Sequence, residues 1–175
     1  MITCQCHMPT CKKSMVEVRL TPAEMLLGAQ AGAMRQIENL KTNGSKPTHG
    51  LETNAKDWQL HIEGVLKEQA VAKHLNRYWS GKGERGDVDV HDVDVRSTEY
   101  RNGCLIIHKS DPDDRFFYLV TGINGTYQIH GGMFASEAKQ EEFWRSDLPR
   151  PAFFVPQNSL YLPKGDVGYI SAKEV

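Results

Sequence analysis

The hydrophobic period changes midway along the chain, and that change limits the folds open to it. In the first half, apolar residues recur every three or four positions. Met25, Leu26, Ala29, Ala33, Ile37 and Leu40 trace one helix. Thr21-Pro22-Ala23-Glu24 predicts its start: Thr21 caps, Pro22 suits the first helical position, and Glu24 closes a capping box. A second helix is expected from about Asn54 to Tyr78, with Trp58, Ile62, Val65, Ala72, Leu75 and Trp79 on its apolar face. From Asp87 the period becomes two. GDVDVHDVDVRST alternates except at its His-Asp pair, and CLIIHK, FFYLVTG and TYQIHGG follow as strands broken by Asp-Pro and Asn-Gly turns. A short helix within 135–145 and two extended pieces between Pro151 and Leu162 complete the order. With a strand VEVRL after Met15, this predicts an α/β (α+β) fold: a central mixed sheet flanked by helices.

At 175 residues the chain is expected to form a single domain over 15–175. Residues 1–14 lack apolar periodicity and are expected to be a disordered or non-native head, with Met15 an alternative start to Met1. No apolar run reaches the ~20 residues that span a bilayer, and no secretory signal is visible. With Lys plus Arg at 21 and Asp plus Glu at 22, bulk positive charge does not drive partner binding. Three of the four cysteines fall in the first eleven residues, so a disulfide framework is not expected and a cytoplasmic setting is.

The chemistry concentrates in residues 87–96. With His91-Asp92 as a two-residue turn, Val90 opposes Val93, Asp89 opposes Asp94 and Asp87 opposes Arg96. Opposed carboxylates repel, and a divalent cation between Asp89 and Asp94 would reverse that sign. The competing reading is a half-buried hairpin with a solvated polar face and an Asp87–Arg96 ion pair. Glu68 adds independent weight. It falls inside the apolar stripe of the second helix, where a carboxylate is costly unless paired or metal-bound. Its own alternative is the stripe's edge, reaching water or a basic neighbour. Glu63, outside the stripe with Lys67 one turn on, reads as a surface pair.

These motifs and their order resemble the PD-(D/E)XK nuclease superfamily, in particular its small phage and bacterial members. GVLKEQAVAKHL carries the helical Glu68. DVHDVDVRST carries Asp89 and then Asp94-Val95-Arg96, where the family has acid-x-Lys. CLIIHKSDPDDRFFYLVTG, with Asp111 in its turn, resembles the following core strands, and YQIHGGMFASEAK and RPAFFVP resemble the closing elements. The resemblance covers about residues 55–163. It implies a restriction-endonuclease-like fold and a Mg²⁺- or Mn²⁺-dependent nuclease acting on DNA, with a homodimer as an admissible assembly. Glu68, Asp89 and Asp94 would hold the metal. Arg96, or Lys109 on the next strand, would position the attacking water, and Lys73, His74 and Arg77 are candidates for phosphate contacts. Arg96 departs from the family's Lys and cannot act as a base. A catalytically inactive nucleic-acid-binding, accessory or inhibitor protein with the same fold is the alternative.

Cys4, Cys6, His7 and Cys11 are zinc-ligand types at a spacing too cramped for common structural sites. Cys104 reads as a buried core thiol, and His61, His108 and His130 as structural histidines.

Overall fold

The computed structural model describes residues 15–43, 56–81 and 89–163. The cysteine-rich head and Asp87 lie outside them. Among the described residues, seven strands and three α-helices appear in the order β1 (Val16–Arg19), α1 (Pro22–Asn43), α2 (Lys56–His74), β2 (Val93–Ser97), β3 (Leu105–Ile107), β4 (Phe116–Ile123), β5 (Thr126–Phe134), α3 (Ala135–Ala138), β6 (Trp144–Arg145) and β7 (Ala152–Val155). The fold is α+β.

The strands form two sheets. The larger is mixed, in the order β1-β5-β4-β2, with β2 parallel to β4 and the other pairs antiparallel. The smaller is antiparallel, in the order β3-β7-β6. α2, backed by α1, covers one face of the larger sheet, and the small sheet together with α3 covers the other. The central mixed sheet with helices packed against it is the arrangement the sequence indicates. Only four residues of the expected 135–145 helix are α-helical, followed by a 3₁₀ turn at Glu141–Phe143. β3 and β7 share that second flank with α3.

The two faces of β4 supply two cores, as alternation requires. Phe116, Tyr118 and Val120 pack with Leu66, Ala70, Val71 and Ala72 of α2. Phe117 and Leu119 pack with Leu105, Ile107, Phe153 and Val155 of the small sheet. The Asn124-Gly125 turn between β4 and β5 places both residues at positive φ, as a tight hairpin demands.

The capping box at α1 forms as the sequence indicates. Thr21 N–H donates to Glu24 Oε2 at 2.6 Å, and Glu24 N–H donates to Thr21 Oγ1 at 3.3 Å. The buried stripe of α1 is different from the expected one. Gly28, Gly32 and Gln36 are buried, while Leu26 and Leu40 are exposed. A Cβ on Gly32 would stand 2.6 Å from the Ile62 Cα, so the two glycines let α1 and α2 approach backbone to backbone.

α2 ends earlier than its apolar pattern suggests. Asn76 takes a left-handed φ of 52°, Arg77 N–H donates to Ala72 O and Asn76 N–H to Lys73 O, which together close the helix. Between α1 and the sheet, α2 is buried all round from Val65 to Ala72. That burial overturns the surface reading of Glu63 and Lys67. Glu63 accepts from Tyr127 OH at 2.9 Å and from Asn124 N–H at 3.1 Å. Lys67 is buried as well, which pulls its ammonium below the ordinary lysine range.

Candidate functional site

The hairpin forms with the turn that the sequence indicates. Val90 and Val93 exchange both backbone hydrogen bonds at 3.0 Å, and His91 adopts a φ of 54°. At Asp89, next to that bridge, the side chain takes over from the backbone ladder. Asp89 turns its carboxylate onto the free edge of β2, where Oδ2 accepts the Val95 N–H at 2.8 Å. Its own N–H points to Asp94 Oδ1 at 3.4 Å.

Glu68 approaches from the helical layer and is nearly fully buried. Arg35 meets it with two parallel hydrogen bonds, Nη1 to Oε1 at 2.5 Å and Nη2 to Oε2 at 2.8 Å. The close helix approach makes this fork available, because Arg35 lies one turn beyond Gly32 on α1.

Asp94 sits on the β2 face opposite Val93 and Val95, with its backbone opposite Phe117. Its Oδ2 pairs with Arg115 Nη1 at 3.2 Å. Asp89 and Asp94 thus lie side by side at the open edge of β2, with Glu68 in the helical layer near enough to act on Asp89 electrostatically.

Their charges disfavour one another. Burial pushes Asp89 up to about 7, and Glu68 and Asp94 push in the same direction. Glu68 is also raised, chiefly by burial, with Arg35 pulling against it. Among the described residues no three acidic, histidine or cysteine side chains close on a common point with metal-ligand geometry. The donor chemistry nonetheless fits a hard cation. All donors are carboxylate oxygens, and among the described residues Asp89 accepts a backbone N–H but no arginine hydrogen bond.

Arg96 shares its strand face with Asp94 but turns to Asp111, donating from Nη2 to both carboxylate oxygens at 3.0 and 3.1 Å. Its guanidinium stands 5.0 Å from the Phe117 ring centroid. Asp111 is thus the partner Arg96 has among the described residues; the expected Asp87 lies outside them. Lys109 is placed elsewhere. Its ammonium stands 4.2 Å from the Trp144 ring centroid, beside the small sheet. The cation that reaches Asp94 is Arg115. Neither Arg35 nor Arg115 is marked by periodicity, though Arg115 follows the Asp-Pro turn and so had a position one could have inspected.

The basic residues at the end of α2 are engaged within the protein. Lys73 donates to Glu24 Oε2 and Arg19 O at 2.8 and 2.9 Å, and Arg77 pairs with Asp92. His74 is half-buried, and burial lowers its pKa. His130 is a structural histidine, its Nε2 2.7 Å from Thr121 Oγ1. Cys104 is only half-buried and lines an open cleft, which corrects its reading as a core thiol.

Comparison with known proteins gives no match to a family model, a curated relative or a solved structure. No helix among the described residues is long and apolar enough to cross a membrane.

Proposed function

We propose that this protein is a metal-dependent nuclease with a restriction-endonuclease-like fold that hydrolyses DNA phosphodiester bonds. The observation that carries the reading is Asp89 beside Asp94 at the β2 edge, with Asp89 pushed up to about 7 by burial and by nearby Glu68 and Asp94. The helix-borne Glu and the hairpin-borne Asp-and-Asp-x-Arg pattern come from separate elements.

Glu68, Asp89 and Asp94 would hold Mg²⁺ or Mn²⁺, which when bound supplies a water of lowered pKa and screens the phosphate. The chain's own contribution is electrostatic placement. Asp89 exchanges a proton near neutral pH. Arg35 and Arg115 offset the negative charge of the cluster. Arg96, permanently charged, fixes a positive group two residues from Asp94 on the same strand face.

A second reading has its own support. Arg35 and Arg115 already neutralise two of the three carboxylates, the pattern expected of a fold that binds nucleic acid or a protein without cutting.

Melting curves and plasmid cleavage in Mg²⁺, Mn²⁺ and EDTA separate the readings. The nuclease reading predicts cleavage in metal but not in EDTA. It also predicts a rise in Tm at millimolar metal, because a ligand bound only by the native state stabilises it. Asp94→Asn should abolish both. Intact plasmid and an unmoved Tm in every metal would leave the non-catalytic reading.

A further inference from the structure

We propose that the cleft beside the carboxylate cluster seats one unstacked nucleotide of a single strand. The cleft measures about 560 Å³ and is lined by Arg96, Thr98, Cys104, His108, Arg150 and Phe154, among others. Choosing a nucleotide over other phosphate-bearing flat groups rests on the nuclease reading. The position, charge and size of the cleft stand apart from it.

The small sheet builds the floor by alternation. Leu105 and Ile107 of β3 point into the second core, so Cys104, Ile106 and His108 face the other way. Phe154 pairs with Ile106 in register and presents its side chain to the same cleft. One wall is the C-terminal half of β2, where Arg96, Ser97 and Thr98 line the space.

The lining holds two arginines and a histidine but no carboxylate, in a chain of net charge -1. Arg150 has no partner among the described residues. Asp111 takes only Nη2 of Arg96, whose Nε is buried without a hydrogen-bond acceptor. Cationic groups at the rim and an apolar, aromatic floor match a nucleotide: phosphate to Arg150 and Arg96, base onto Phe154 and Ile106.

The volume suits a single small ligand, within the roughly 300–1,000 Å³ of ordinary ligand sites. A single or frayed strand is the form that exposes the base face Phe154 and Ile106 would take. Asp94 lies two residues before Arg96 on the same face, about 6.6 Å back along the strand. A nucleotide in the cleft thus lies next to the carboxylates.

Binding is measured by anisotropy of a labelled mixed-sequence single-stranded oligonucleotide on the full chain in EDTA, where metal-dependent cutting is silent. We expect the single strand to bind at least tenfold more tightly than the matching duplex, and a mononucleotide to compete. Arg150→Glu should weaken binding at least tenfold, and Arg150→Lys should stay within threefold of wild type. The bound strand should also slow alkylation of Cys104, read by peptide mapping. No binding, equal affinity for the duplex, indifference to Arg150→Glu, or unchanged Cys104 labelling would each overturn the cleft. Cleavage in Mg²⁺ is scored separately. Binding without cutting overturns the nuclease reading alone, and cutting without single-strand binding overturns the cleft alone.

Discussion

Asp89 costs the fold stability whenever it is ionised, and the sign of that cost is testable. Below pH 4 the carboxyl is protonated in both folded and unfolded chains. Between its ordinary 3.8 and about 7, the folded protein keeps a proton that the unfolded chain has lost. Stability therefore falls as pH rises through that window and levels off above it. The gap from 3.8 to about 7 sets an upper bound of about 4 kcal/mol on the loss. Asp89→Asn should flatten the profile and raise stability at pH 8 relative to wild type, measured by denaturant titration at pH 5 and pH 8. A variant with an unchanged slope would show that Asp89 ionises freely. At this scale the sequence was informative about anions and silent about their cations. Glu68 and Asp89 stand out because carboxylates in periodic segments are conspicuous. Arg35 and Arg115 do not, because a long flexible side chain reaches its partner through tertiary approach rather than local spacing. Asp111 shows the same limit: no local spacing links it to Arg96, and the turn after β3 brings the two together.

The helical glycines show how an element positions the site. Gly28 and Gly32 face α2, and the resulting close approach lets Arg35 fork onto Glu68. The expected apolar stripe of α1 fails for this reason. Small residues bury backbone against backbone, whereas a periodicity search counts large side chains. Three substitutions separate propensity from packing. Gly64 has open space around a built Cβ, so Gly64→Ala should stabilise by about 0.5–1 kcal/mol through helix propensity alone. A Cβ on Gly28 meets the tips of the Leu66 and Gln69 side chains, which can turn aside, so Gly28→Ala should be close to neutral. A Cβ on Gly32 meets the Ile62 backbone at 2.6 and 2.9 Å, so Gly32→Ala should cost about 1–3 kcal/mol. Denaturant midpoints for the three variants test the order. A stabilising Gly32→Ala would contradict the close helix contact. By contrast, the strands were legible because alternation and the Asn124-Gly125 turn are local signals. The sorting of β3 and β7 into a separate sheet was not, because it depends on pairings between distant segments.

For the whole molecule, β4 is the wall shared by both cores, and this should make unfolding a single event. Its residues alternate between the helical side and the small-sheet side, and all five from Phe116 to Val120 are buried. Loosening one face moves the backbone that carries the other, and close-packed interiors transmit such strain. Leu119→Ala removes side-chain volume only on the small-sheet side and should cost about 2–5 kcal/mol. If the cores unfold together, hydrogen exchange should quicken to the same extent in α2, which Leu119 does not face, as in β3 and β7. Each 1.4 kcal/mol lost corresponds to about a tenfold faster exchange at amides that open only through global unfolding. If β3 and β7 lose protection while Val65–Ala72 keep theirs, the two cores open separately. The cleft at the small sheet and the carboxylates at the β2 edge would then not share one rigid support.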